Sequence, residues 1–536
     1  MSKDNKQMNK LTLVALILMI FTSVFGFNNI PRAFYLMGYS AIPWYLFGAL
    51  AFFIPYAFMM AEFGSAFKEE KGIYAWMEKS VGAKFAFIGT FMWFASYIVW
   101  MVSVSSSIWV PLSNLIFGSD QTSTWSLFGL NAPKTLAILG VLLMVAITYL
   151  SSKGLKSISK IASVGGFFVT SANVVLLVGA IVVLIGNGFS PAEPISLTAF
   201  FNSPNPNYTS ILAIFSFLVY AIFAYGGLEA VGGLVDQTEN AEKTFPRGIK
   251  ISAIVIGVGY SIGILMVGLC TNWSQVLSSP DVSRANVSYV VIRNLGVQLG
   301  NVFGMSASGA EVLGTWFARY IGLAMFLALI GAFFTLIYSP LKQIIEGTPK
   351  EIWPTSWTKT DKNGMPVKAM WIQCALVVGI IAISSFGGDT AAMFLDYLIL
   401  MSNVAMTIPT IFLAIAFISF KKNDDIKKPF IIFKNKTFAF VCGGVVIFTV
   451  GFANVFTIIQ PAIEAGDYVS TIFQVAGPIV FSIIALITNE NKPKVKIVIG
   501  NEKNFIIGLT VMFNAPITID NTINVPIEPI YIPFIK

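Results

Sequence analysis

The residue with the clearest chemical potential is Glu229, a carboxylic acid in an apolar stretch, directly after Ala224-Tyr225-Gly226-Gly227-Leu228 and just before Gly232-Gly233. An ionisable group at membrane depth costs several kcal/mol and is by default a functional group. Two roles fit it: an acid that exchanges a proton during a working cycle, or a neutral acid bonded to a neighbouring helix backbone. The glycines beside it weaken a helix and let the backbone approach a ligand. A second irregular stretch is Gly26-Phe27-Asn28-Asn29-Ile30-Pro31-Arg32. Pro31 lacks an amide hydrogen and clashes one turn back, so a helix should kink or unwind there. Backbone of that kind is tolerated in a bilayer only where it is buried or lines a watery cavity.

Other polar and aromatic residues bear on the same region. Glu62 falls near one end of an apolar run, where a gating or interfacial ion pair is expected, and Asp396 is expected near an interface. Arg32 and Arg319 fall at run ends, where long basic side chains reach toward water or receive a carboxylate. Trp93, Tyr97 and Trp100, with Phe223 and Tyr225, offer a gate over a bound amine or acid, or a belt at the membrane surface. The chain has no histidine, which removes the commonest metal ligand and the usual proton relay. Proton coupling would therefore fall to carboxylates. Cys270, Cys374 and Cys442 sit in separate apolar runs without metal or disulfide spacing. No metal and no cofactor is expected.

These residues must be held by elements that live in lipid. Of 536 residues, 56% are hydrophobic and 11% charged, with mean hydropathy +0.77; soluble domains carry about a quarter charged residues. The apolar runs match the ~20 residues needed to cross ~30 Å of hydrocarbon. About twelve spans are expected, beginning near Leu11, Ile42, Phe85, Thr135, Ile161, Ser210, Ile249, Thr315, Ala369, Ala391, Phe438 and Val469. The first run follows Lys3, Lys6 and Lys10 but is too long for a secretory signal and lacks a cleavage site, so it is expected to remain.

Basic residues alternate with the spans. Connections after even-numbered spans hold Lys68, Lys71, Lys79 and Lys84, then Lys153, Lys156 and Lys160, and later clusters around Lys243, Lys342 and Lys421. Connections after odd-numbered spans hold only Lys134, Arg284 and Arg293. Positive charge stays on the cytoplasmic side, so both termini are expected there, in a multi-pass protein of the cell (inner or plasma) membrane. The net charge of +8 is then topology and contact with anionic lipid, and no nucleic acid is implied. Residues 1–488 are read as the transmembrane domain and 489–536 as a cytoplasmic tail, loosely ordered or forming a strand-like plug.

The two irregular stretches fall in spans 1 and 6, at matching places in two five-span units. That is the signature of an inverted-repeat transporter with half-helix N-termini facing an anionic group. Spans 11 and 12 would be peripheral. Small residues that merely pack helices are the structural alternative.

The residues then resemble a known group. Asn29-Ile30-Pro31, Ala61-Glu62-Phe63, Glu69-Glu70-Lys71-Gly72-Ile73-Tyr74-Ala75-Trp76, Tyr225-Gly226-Gly227-Leu228-Glu229, Asn240 to Pro246-Arg247, Ser339-Pro340-Leu341-Lys342 and Gly347-Thr348-Pro349 appear in order. Together they resemble the amino acid/polyamine/organocation superfamily, and within it the bacterial glutamate/γ-aminobutyrate antiporters, YjeM-like branch. The resemblance covers roughly residues 8 to 490. It implies an all-α membrane protein with a LeuT-like 5+5 inverted repeat plus two helices, working by alternating access on an amino acid. It also implies substrate contacts at Gly26, Phe27, Asn28, Asn29, Phe223, Ala224, Tyr225, Gly226 and Gly227. Phe223 would gate and Glu229 couple, with Glu62, Trp93 and Tyr97 placed beside them as coupling or gating residues. Val24-Phe25-Gly26 departs from the superfamily's Gly-x-Gly, and Lys71 replaces a glycine.

Amino acid or amine transport by exchange or with protons is the expected activity, with amino acid and lipid as partners and no expectation of oligomeric state. A sodium-coupled symporter is the nearest rival; span 8 offers Thr315 and Thr335, but its middle is Leu, Ala and Phe. A membrane enzyme or sensor would need a catalytic cluster or appended soluble module, and neither is visible.

Overall fold

A computed structural model describes residues 10–68, 72–490, 495–500, 506–510 and 530–532. Several spans begin where the sequence places a short polar side chain that accepts from the first turn. Thr12 accepts from the Ala15 amide, Asn131 from Lys134, Ser210 from Ala213, Ser306 from Gly309 and Asn435 from Phe438. Each such cap satisfies an amide the helix itself leaves open.

Among the described residues, eleven stretches are long and apolar enough to cross a membrane. The first, Leu13–Ala66, has 54 residues. A single helix of that length would run about 80 Å, so it makes two passes, divided at Gly38, whose φ of 57° ends the first. Among the described residues the count of spans is therefore twelve, as the hydropathy runs predict. Span 1 comprises Leu13–Val24 and Asn29–Met37, and span 2 runs from Ala41–Gly48 through a π-turn at Ala49–Phe53 into Ile54–Ala66. A short helix, Ile73–Val81, precedes span 3 (Ala83–Ser107 and Trp109–Phe117), span 4 (Ala132–Ser151) and span 5 (Leu155–Gly186). Span 6 is Ile211–Phe223 followed by a 3-10 stretch, Leu228–Leu234; span 7 is Ala241–Cys270. After Val287–Val302 come span 8 (Ala307–Ile345), span 9 (Val367–Phe386) and span 10 (Asp389–Ala405 and Ile408–Lys422). Spans 11 and 12 are Lys436–Ala465 and Tyr468–Glu490.

Spans related by the five-span offset pack on one another: 1 on 6, 2 on 7, 3 on 8 and 4 on 9. Small residues permit this. A Cβ on Gly166 of span 5 would stand 2.2 Å from the Leu18 carbonyl oxygen, so only glycine lets spans 1 and 5 meet. The largest buried side chains, among them Trp76, Trp93, Tyr45, Tyr56, Tyr225 and Tyr260, surround the broken parts of spans 1 and 6. Exposed large apolar residues, such as Leu142, Val178 and Phe448, lie on the outer faces.

The segment after span 12 contains three short strands, Val495–Gly500, Ile506–Thr510 and Ile530–Ile532, paired antiparallel with the first in the middle. The motif residues Glu69, Glu70 and Lys71 lie outside the described residues.

Candidate functional site

Span 1 loses its helix over Phe25 to Asn28. Pro31 is the third residue of the second half-helix, where its missing amide hydrogen falls among the donors a first turn never pairs. The carbonyl one turn back, on Phe27, instead accepts from Ile30 (3.1 Å). The amides of Phe27 and Asn28 have no hydrogen-bond partner among the described residues. In span 6 the α-helix ends at Phe223, Gly227 adopts φ 107°, and the chain resumes as a 3-10 turn. A Cβ at Gly227 would lie 2.6 Å from the Ser23 carbonyl oxygen, so the two broken spans touch through backbone.

Tyr260 of span 7 ties the breaks together. Its hydroxyl accepts from the Gly26 amide (3.0 Å) and from Asn29 Nδ2 (3.2 Å). Its single proton is shared between the carbonyls of Val24 (2.9 Å) and Ala224 (3.2 Å). Tyr220 donates to Asn29 Oδ1 (3.2 Å), so that amide is used at both ends. One phenol thus satisfies carbonyls left open by both helix ends, which keeps the irregular backbone affordable in hydrocarbon.

Beside the breaks lies a cavity of about 620 Å³ bounded by spans 1, 2, 3, 6, 8, 10 and 11. Its wall on span 3 runs from Trp93 to Ser103 and on span 11 from Val450 to Gln460. The span 3 stretch is central in its helix, and the span 11 stretch lies in the half remote from the basic connection at Lys436. On the cavity wall stands Glu229, 4% exposed. Tyr56 of span 2 and Thr410 of span 10 each donate a hydroxyl to Glu229 Oε1 at 2.8 Å. Tyr97 of span 3 lies within electrostatic reach of the carboxyl. No lysine or arginine is paired with Glu229 among the described residues.

Below Glu229 the path is closed by one face of span 8. Tyr338 accepts from Gln237 Nε2 (2.6 Å), and Ser339 donates to the Ala230 carbonyl. Lys342 reaches the Gly233 carbonyl (3.1 Å) and Asp236 (2.6 Å). Gln343 donates to the Glu229 carbonyl (3.1 Å) and accepts from the Ile73 amide (2.9 Å). A 3-10 stretch exposes carbonyls that an α-helix would use internally, and Ser339, Lys342 and Gln343 occupy three of them.

The sequence model of a family described as amino acid permease matches residues 11–487. The chain belongs to that family. It is 54% identical over 483 residues to the inner membrane transporter YjeM of Salmonella typhimurium, covering 90% of this chain and 96% of the relative. More distantly, it is 24% identical over 366 residues to the aspartate/glutamate permease AcaP of Lactococcus lactis, covering 67% and 69%. It is 23% identical over 349 residues to a glutamate/γ-aminobutyrate antiporter of the same species, covering 64% and 62%. The resemblance to the superfamily and to the YjeM-like branch is thereby borne out. The protein is a multi-pass inner membrane transporter of amino acids or related compounds, and not an enzyme.

The permease divides the residues singled out from sequence among several surroundings. Phe223, Gly226, Gly227, Glu229, Trp93, Tyr97 and Trp100 line the large cavity. Gly26, Phe27 and Asn28 line a separate space of about 90 Å³ between spans 1, 5 and 8. The carbonyl of Ala224, the side chain of Asn29 and the ring of Tyr225 belong to the Tyr260 cluster; Tyr225 donates to the carbonyls of Tyr45 (3.1 Å) and Gly257 (3.3 Å). Glu62 is fully buried and forms an ion pair with Lys421, and it is not among the residues lining the cavity. Arg32 donates from Nε to the Arg284 carbonyl (2.6 Å), and Arg319 lies over Trp316.

Sequence reasoning missed Tyr56, Tyr260, Thr410 and the span 8 side chains. It also missed a third break, at Met406-Thr407 in span 10, which delivers Thr407 and Thr410 to the cavity. Pro409 marks it, placed in the first turn of Ile408–Lys422. A third cavity, about 420 Å³ between spans 5 and 7 and floored by Phe21 and Phe25, is lined almost wholly by apolar residues.

Proposed function

We propose that the permease carries an amino acid or related amine by alternating access, seated where spans 1 and 6 are unwound, with Glu229 as the proton-carrying group. The observation that supports this most directly is a buried carboxyl at the wall of a cavity, held by two hydroxyls and, among the described residues, by no lysine or arginine. Hydroxyls donate to a carboxylate and can turn to accept from a carboxylic acid, so both protonation states are accommodated. The unpaired amides of Phe27 and Asn28 at the start of the second half of span 1 suit a substrate carboxylate. The pairing of spans 1 to 4 with 6 to 9 supports a 5+5 inverted repeat, with the basic end cytoplasmic and the cavity facing outward. Inward opening then requires the span 8 side chains to release the 3-10 stretch of span 6. Exchange of one substrate for another fits the same cycle, and the distant relative named as a glutamate/γ-aminobutyrate antiporter supports it.

Proton rather than sodium coupling is favoured by the space between spans 1, 5 and 8. Span 8 contributes Ala324, Met325, Ala328, Leu329 and Ala332 there, none an oxygen ligand from its side chain. Thr335 donates to Gly331 and Thr315 to Glu311, each within the helix.

The test is Glu229→Gln in proteoliposomes. Glutamine keeps an oxygen for Tyr56 and Thr410 but carries no exchangeable charge. Uptake is expected to lose its dependence on external pH while the protein stays folded and still exchanges substrate. An unaltered pH profile would remove Glu229 from the coupling step.

A further inference from the structure

We infer that the transported amino acid bears no negative charge on its side chain at neutral pH. The inference rests on the transport reading above and narrows its substrate class. Among the described residues lining the large cavity, Glu229 is the only one with a charged side chain. The remainder of the wall consists of hydroxyls and amides, such as Ser103, Asn403, Thr457 and Gln460, interleaved with the rings of Trp93, Trp100 and Phe223. Arg32, on the second half of span 1, is turned to the Arg284 carbonyl and forms no part of the wall.

A bound amino acid brings one carboxylate that the half-helix amides can take. A second carboxylate would leave water without a cation to meet it, beside an acid already present. Desolvating an unpaired carboxylate costs far more than desolvating an amide that can share hydrogen bonds with serine, threonine and asparagine. Glutamine and glutamate therefore separate the two cases, because they differ in shape by almost nothing. The distant relatives named for aspartate and glutamate make the contrast sharper.

The experiment uses the full chain in proteoliposomes, with the best-transported member of a panel of labelled amino acids as probe. Unlabelled glutamine and glutamate, and asparagine and aspartate, compete with it at pH 7. The amide of each pair is expected to compete at least tenfold better than the acid, and the gap between glutamine and glutamate is expected to narrow as external pH falls toward ~4.3, where the glutamate side chain gains its proton. Asn403→Lys, at a solvent-facing position on the wall, supplies the missing cation and is expected to raise glutamate competition relative to glutamine. Thr457→Lys repeats the test from span 11 if the first variant fails to fold. Equal competition by glutamate and glutamine at pH 7 in the unmodified protein overturns the inference and leaves amino acid transport intact. Absence of uptake or displacement by any amino acid overturns the transport reading and this inference with it.

Discussion

Glu62 and Glu229 are both buried carboxyls on spanning helices, yet their surroundings differ in kind. Glu62 Oε2 meets the Lys421 ammonium at 2.9 Å, and its other oxygen accepts from the amides of Ile432 and Phe433 at 2.8 Å each. Lys421 also donates to the Phe433 carbonyl (2.8 Å). Every partner is fixed and complementary to a charged acid, so this corner joins span 2, span 10 and the 10–11 connection permanently. Glu229 has instead two hydroxyls and the wall of a cavity. Burial is common to both; the type of partner separates an ion-paired joint from a carboxyl held by hydroxyls at a cavity wall.

The largest effect should come from breaking the fixed joint. Lys421→Met leaves the Glu62 carboxylate buried with only two amides, and loss of one partner of a buried pair costs about 3–5 kcal/mol. Thermal unfolding in detergent should show a steep loss, and Glu62→Gln added to it should recover part, because the stranded charge is gone. A single variant as stable as the parent would mean the pair is not the joint described. At Glu229 the corresponding change is milder. Tyr56→Phe removes one of two neutral hydrogen bonds, a loss of ~1 kcal/mol. Its unfolding temperature should stay close to the parent's, while the midpoint of the pH profile of uptake moves. A steep unfolding loss with an unmoved midpoint would make Tyr56 a packing residue.

The same contrast shows what was legible in sequence. Both acids stood out as charges in apolar runs, and the breaks in spans 1 and 6 stood out through Pro31 and the Gly226-Gly227 pair. Those signals are local, and the structure places irregular backbone at both. The partners that distinguish the acids are distant in the chain: Tyr56 lies 173 residues from Glu229 and Thr410 181, while Lys421 lies 359 from Glu62. No local pattern marks one buried tyrosine among many as the hub at Tyr260. Gly227 shows the limit in another way. The sequence reads the glycine as letting the backbone approach a ligand, but the Ser23 carbonyl oxygen lies 2.6 Å from where a Cβ would stand, so Gly227→Leu would first push spans 1 and 6 apart.

The smallest effect belongs to a third carboxylate, Asp424, in the same 10–11 connection whose backbone caps Glu62. Its two oxygens meet Lys436 at 2.7 and 2.9 Å, a geometry as close as that of Glu62 with Lys421. The Lys436 hydrogen bond and charge hold its carboxyl below the usual range. A depressed folded value means that the stabilisation is present above the unfolded range and is lost as pH falls through the folded one. Yet the side chains of Asp424 and Lys436 are 77% and 52% exposed, so water and salt screen the pair. Asp424→Asn should therefore leave the unfolding temperature at neutral pH unchanged, and the small difference that appears at low ionic strength should vanish in acid and in salt. If it destabilised the protein as much as Lys421→Met, short distance rather than burial would govern these pairs, and the distinction drawn between the carboxyls would fail at its first step.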